Sequence, residues 1–256
     1  VNTYGRLKDK YDARDLRYGV KRRATEIPAM IDMRARVPYI SQQERLGSCT
    51  ANAIGSALDM ERVYRKLKPL KPSRLFVYYG ERELEGTINE DAGAFIRDGF
   101  KVINKLGAPP ETLWPYKTER FTKKPPKAAY VSAARHQALK YARVDQTALG
   151  LRTCLAEGFP FVFGFTVYDS FESPEVVRTG IVPMPRAGEG TLGGHAVLAV
   201  GSNESSRTVA GCPPGYYAVQ NSWGDDWGDG GFFYMPKEYL HNPKLASDFW
   251  VVSLAE

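Results

Sequence analysis

Apolar and polar positions along the chain change rhythm several times, and each change marks an element. Cys49, Ala53, Ala57, Met60, Tyr64 and Leu67 recur at intervals of 4, 4, 3, 4 and 3, the spacing of one helical face. Ser48 stands where an N-cap belongs, and Pro69 and Pro72 stand where such a helix must end. Ala51, Gly55 and Ser56 thin the other faces while Ile54 and Leu58 add a second apolar edge, which predicts a helix buried between layers. Further helices are expected over 92–106 and 146–157. From Phe159 onward the pattern is that of strands, at Phe161–Tyr168, 195–200, Tyr216–Gln220 and 231–235. A Pro- and Lys-rich stretch over 107–127 parts the helical half from the sheet-rich half. The prediction is an α+β fold.

Residues 1–27 follow neither rhythm, yet Tyr4, Tyr11 and Tyr18 recur at intervals of seven among charges and glycines. This reads as a leader lying on something. The 256-residue chain carries 35 Lys+Arg against 29 Asp+Glu, net +6, and eight of the bases with four of the acids fall within residues 1–27. A leader of net +4 on a nearly neutral body fits a partner-seeking segment better than a protein-wide nucleic-acid surface. Contact of this leader with nucleic acid, a nucleotide or another anionic partner stays open as the weaker reading. At 43% hydrophobic and 25% charged residues the composition is that of a globular chain, and no apolar run approaches the roughly 20 residues of a membrane helix. Cys49, Cys154 and Cys212 are too few for a disulfide framework and leave at least one thiol free. Secreted, periplasmic and cytoplasmic settings all remain open.

Cys49 opens its helix, where unpaired backbone N–H groups favour a thiolate. Most helical cysteines are merely small buried hydrophobes, so the neighbours decide. His195 lies between the Gly193-Gly194 pair and an apolar strand, a setting shared by neither His136 nor His241. A nucleophilic thiolate needs such an imidazole to take up its proton and return it to a leaving amine. Asn221, in Asn221-Ser222-Trp223-Gly224, can hold the second ring nitrogen and fix the tautomer. Gln42 or Gln43 can supply a donor which, with the Cys49 amide, makes an oxyanion hole. No His/Cys cluster has metal-ligand spacing, so neither metal nor cofactor is implied.

In order, Gln43, Gly47-Ser48-Cys49, His195-Ala196-Val197 and Asn221-Ser222-Trp223-Gly224 resemble the papain-like cysteine peptidase family over most of the chain. The residues 46–53 and 85–93 are similar to its bacterial members, and 27–34 to its mature N-terminus. The resemblance implies a papain-like two-lobe α+β fold. A leader would cover 1–27, a helical left lobe 28–130 and a β-barrel-like right lobe 131–256, with the active-site cleft between the lobes. It makes Cys49 the nucleophile, His195 the general acid/base, Asn221 its orienter and, since the family's Gln lies six positions before its Cys, Gln43 the oxyanion donor. Trp223 would shield the His195–Asn221 bond, and Gly93, Gly194 and Trp223 would border substrate.

The implied reaction is hydrolysis of proteins or peptides through an acyl-enzyme. An acyl transferase or amidase using the same site is one alternative, and a catalytically silent binding protein is another. Departures from the family pattern are Thr50 for its aromatic residue, Leu46 for a disulfide Cys, and Gly194 where many relatives carry Asp or Asn. His195 and Asn221 follow Cys49 by 146 and 172 residues, and the added length falls largely in 202–215, read as a surface insertion. The short leader lacks the helical pattern of typical pro-segments. It is expected to cross the cleft as an intramolecular inhibitor, with Gly19-Val20-Lys21 as a candidate self-cleavage sequence.

Overall fold

A computed structural model describes residues 2–19, 23–137 and 140–253. Val20 and Lys21 of the candidate self-cleavage sequence lie outside the described residues. The chain runs β1 (Arg6–Leu7), β2 (Met30–Asp32), α1 (Cys49–Tyr64), α2 (Arg74–Glu85), β3 (Ala94–Phe95), α3 (Ile96–Lys105) and α4 (Lys127–Ala133). It continues through β4 (Lys140–Arg143), α5 (Ala148–Ala156), β5 (Phe161–Tyr168), α6 (Pro174–Thr179), β6 (Thr191–Asn203), β7 (Tyr216–Gln220), β8 (Phe232–Pro236), α7 (Lys237–His241) and β9 (Ala246–Ser253). Helices dominate the first half and one sheet the second, the two-lobe α+β architecture that the resemblance implied.

The sheet has the order β4-β9-β5-β6-β7-β8, with β2 added alongside β6, and all of these pairings are antiparallel. Strands β5 and β6 lie at its centre, which is why both read as near-continuous apolar runs. Phe163 stacks on Phe249 of β9 at 5.4 Å, and Phe161, Phe165, Phe171 and Trp250 are fully buried around them. Helix α1 buries every residue from Cys49 to Glu61, and its small side chains let it pack on β6 on one side and on α2 and α3 on the other. The buried Asp59 carboxylate accepts the Leu70 and Lys71 amides, each at 2.7 Å, and pins the turn after the helix.

Several elements depart from the sequence pattern for identifiable reasons. Ser48 does not cap α1 with its side chain; its buried hydroxyl instead meets the Tyr116 hydroxyl at 2.6 Å and accepts from Asn52. Helix α1 stops at Tyr64 because Lys66 takes a left-handed backbone, before either proline is reached. Helix α2 has no counterpart among the expected elements, although Ser73 accepts from the Phe76 amide at its start and left-handed Gly86 ends it. The expected helix 92–106 begins only at Ile96, because Ala94 and Phe95 pair with the leader as β3. Residues 202 and 203 extend β6, so only the remainder of 202–215 loops out, tied back by Asn203 to the Arg207 and Cys212 carbonyls. Cys49, Cys154 and Cys212 are all buried and free. Among the described residues no helix is long and apolar enough to cross a membrane.

The leader lies on the body over much of its described length, with Tyr4 edge-on to His195 and Tyr18 bonded to Glu157, but Tyr11 is 84% exposed, so the seven-residue Tyr spacing does not mark one contact face. Its β1 pairs in parallel with β3, the Tyr18 amide donates to Arg143, and Asp9 accepts from the Trp250 indole at 2.8 Å and from Arg143 at 3.1 Å. Asp15 joins Arg97 at 2.7 Å and Arg143 at 2.6 Å.

Truncating Phe163 removes the ring at the centre of the β5–β9 stack. Phe163→Ala should cost about 3–5 kcal/mol in a denaturant titration, the usual price of an aromatic deleted from a packed core. A loss below about 1 kcal/mol would show that the stack is not central.

Candidate active site

Cys49 is the first residue of α1 and His195 lies in β6, so the packing of that helix on that strand brings them together. The amide of Ala196, next to His195, faces the Cys49 sulfur, as do the amides of Thr50 and of Gly5 from the leader. These donors favour a thiolate, but the sulfur is wholly buried and desolvation wins, pushing the thiol up to about 11. Burial likewise pushes the His195 imidazole down to about 4, against the opposing pull of Asn221. With the leader in place, burial thus works against charge on both groups.

His195 Nε2 lies 2.8 Å from Asn221 Oδ1. The Ser222 amide donates to the same oxygen at 2.9 Å, which assigns that atom as the acceptor and puts the proton on Nε2. Nδ1 keeps its lone pair and has no hydrogen-bond partner. The ring is held on three sides: Trp223 stacks at 5.0 Å, and Phe165 and Tyr4 stand edge-on at 5.8 and 6.0 Å. Trp223 thus covers one face of the imidazole.

The two glutamines separate cleanly. Gln42 donates to the Trp223 carbonyl at 2.9 Å, whereas Gln43 is fully buried beside Cys49's loop. Gln43 Oε1 accepts from Ser222 Oγ at 2.6 Å, and its Nε2 donates to the carbonyls of Leu46 and Thr3, each at 3.1 Å. A second strut is the Tyr116 hydroxyl, which donates to the Gln43 carbonyl at 2.9 Å. Ser222, Tyr116 and Phe165 are positioning residues that sequence reasoning missed; only Ser222 carried a signal, its place between Asn221 and Trp223.

The leader fills the cleft by backbone contact. The Gly5 carbonyl accepts from the Ala94 amide at 2.7 Å, and a Cβ on Gly93, whose φ is 73°, would lie 2.0 Å from that oxygen. A Cβ on Gly194 would lie 2.4 Å from the Arg6 carbonyl. Gly5 is as constrained, with Gly47 O only 1.9 Å from where its own Cβ would stand. Gly93, Gly194 and Trp223, the expected substrate-side residues, thus all border leader atoms, Trp223 through the Tyr4 ring at 6.0 Å.

This fold and this constellation are those of a cysteine peptidase: residues 27–251 match the papain family cysteine protease model, and the chain belongs to that family. Over 219 residues it is 46% identical to a peptidase C1-like protein of Acanthamoeba polyphaga mimivirus, covering 82% of this chain and 68% of that one. It is 26% identical over 235 residues to cysteine proteinase 3 of Entamoeba histolytica, covering 89% and 69%. Among solved structures, xylellain, a cysteine protease from Xylella fastidiosa, superposes with a TM-score of 0.89 at 39% identity, covering 99% of this chain and 96% of that one. Digestive procathepsin L 3 of Tenebrio molitor larval midgut shares the fold, with a TM-score of 0.72 at 17% identity, covering 94% and 75%.

His195 should titrate near pH 4 in the full chain when followed by NMR of its ring protons. Because its folded value lies below the unfolded 6.5, it contributes stability in full above pH 6.5 and loses it as pH falls toward 4. An imidazole titrating at 6.5 or above would contradict a desolvated neutral ring. Gly5→Val, which cannot seat against Gly47, should speed iodoacetamide alkylation of Cys49 at pH 7 at least tenfold; an unchanged rate would show that the leader does not limit access.

Proposed function

We propose that the protein hydrolyses peptide bonds through Cys49, His195, Asn221 and Gln43, and that its N-terminal leader holds this site closed. Cys49 Sγ attacks the substrate carbonyl carbon as its proton passes to His195 Nδ1, the ring nitrogen with a free lone pair. The developing oxyanion takes hydrogen bonds from Gln43 Nε2 and the Cys49 amide. His195 returns the proton to the amine as the C–N bond breaks, leaving a thioester. Water then gives a proton to His195, adds to the thioester carbon and releases the acid and the thiol. Asn221 keeps the proton on Nε2 throughout, so that Nδ1 faces the chemistry.

One observation carries the reading: Gln43 Nε2 already donates to a peptide carbonyl, that of Thr3, while the Cys49 sulfur faces the neighbouring Gly5 amide. The leader therefore supplies the sulfur with an N–H instead of a carbonyl carbon. A segment bound this way occludes the site without being a substrate for it, which supports the role of intramolecular inhibitor.

The test is hydrolysis of fluorogenic peptide amides by the full chain and its variants. Gly5→Val should raise kcat/KM at least tenfold, and Cys49→Ala in that background should fall to the uncatalysed rate. Gln43→Ala should cost about 10²- to 10³-fold in kcat, as for loss of one oxyanion donor. Retained hydrolysis in Cys49→Ala would overturn the nucleophile, and equal rates for the native chain and Gly5→Val would overturn the inhibitory leader.

A further inference from the structure

One leader side chain does more than cover the cleft. Arg6 is almost fully buried and leaves the β1–β3 ladder to enter a pocket between β5 and β9. Its guanidinium donates to Ser247 Oγ and to Asp248 Oδ2. The floor is Gly164, the one glycine of β5, where a Cβ would lie 2.1 Å from Arg6 Nε. Any other residue there would close the pocket to a side chain of this length.

Asp248 is built to offer a carboxylate at this spot. Its backbone is left-handed, at φ 60°, a conformation that aspartate and asparagine tolerate better than most residues other than glycine. Its two oxygens serve different partners. Oδ1 faces Arg143 at 3.5 Å, which itself lies over the Trp250 ring at 4.4 Å. Oδ2 takes Arg6, the Asp9 amide at 3.0 Å and the neighbouring Ser247 hydroxyl at 3.2 Å. Arg6 and the Asp9 amide both belong to the leader. When the leader lifts, Oδ2 loses its cationic partner.

We infer that the Arg6 pocket is the specificity pocket of the open enzyme, and that Asp248 makes it select peptide substrates carrying arginine. The inference rests on the proposed peptidase reading and names the substrate class of that same cleft. Since Gly5 faces the nucleophile and Arg6 is the next residue, the pocket lies within two residues of the cleaved bond, and the side chains tested are those of the two residues preceding it. Leader and substrate then compete for one carboxylate. Ser247 adds an acceptor that suits the planar, five-donor guanidinium better than a lysine ammonium.

The experiment uses the full chain carrying Gly5→Val and fluorogenic peptide amides with Arg, Lys, Leu or Glu at each of those two positions. Arg should exceed Leu in kcat/KM at least tenfold at one position, with Glu the poorest there. Adding Asp248→Asn, which suits the left-handed backbone and removes only the charge, should cut the Arg-to-Leu ratio about 10- to 100-fold, the worth of a charge-assisted hydrogen bond. A preference for Leu, or an Arg preference that survives Asp248→Asn, overturns the pocket while leaving the peptidase standing. Binding separates the two readings if every amide is inert. A synthetic peptide of residues 2–10 should bind the Gly5→Val, Cys49→Ala chain at least tenfold tighter than its norleucine-6 analogue, and equal binding overturns the pocket whatever the activity.

Discussion

Everything at this site depends on how the N-terminus of α1 seats against β6. The nucleophile candidate belongs to a helix of the first half of the chain and the imidazole to a strand of the second, and neither can act alone. The seat is close because α1 presents Ala53 and Ser56 toward Ala196, Val197 and Leu198 of β6, where larger residues would hold the layers apart. It is rigid because β6 is flanked by β5 and β7 in the middle of the sheet. Asn221 follows directly on β7, so the residue that fixes the His195 tautomer hangs from the same framework as His195. Groups on helix ends and central strands keep their geometry better than groups on free loops, which is what proton transfer over hydrogen-bond distances requires.

The leader exploits the gap that this seam leaves. It approaches as bare backbone, with Gly5 against Gly47 and Gly93, and fastens itself with side chains on either side. Beyond the cleft, Asp9 and Asp15 meet Arg97, Arg143 and the Trp250 indole in a largely buried cluster. Burial, together with the Asp248 charge, pushes the Asp9 carboxyl up to about 6. A raised carboxyl favours the docked state most when protonated, so its contribution is fullest at acid pH and fades as pH rises through about 6. His195 pulls the other way, because below pH 6.5 a solvated ring takes up a proton that the buried ring refuses until about pH 4. The two groups thus act in opposite senses as pH falls.

Much of the candidate site was legible because its chemistry is local in sequence. Cys49 follows Gly-Ser, His195 follows a glycine pair, and Asn221 precedes Ser-Trp-Gly; each cluster carries its own signature. Gln43 was harder, and only the family spacing separated it from Gln42; the Ser222 bond to its side chain shows how the chain tells them apart. The Tyr spacing of the leader pointed to a segment lying on the body, but no periodicity could foretell that Arg6 would reach Asp248, 242 residues away. That contact needs the β5–β9 register and a glycine at 164. Helix α2 escaped for a different reason: Ser73 and Gly86 are good cap residues, but the apolar residues 75–79 run consecutively and hide the helical spacing. The edge strand β4 and its neighbour β9 were missed because their pairing joins segments more than 100 residues apart.

On the proposed reading, one opening event of the leader controls access to Cys49. The Ala94 amide, bonded to Gly5 O, reports that opening directly. Hydrogen exchange of Ala94 in the full chain, measured beside peptide-amide hydrolysis, should give a protection factor relative to Gly5→Val that matches the ratio of their hydrolysis rates. Ala94 exchanging as freely in the native chain as in Gly5→Val, or staying protected while the native chain hydrolyses as fast as the variant, would contradict it.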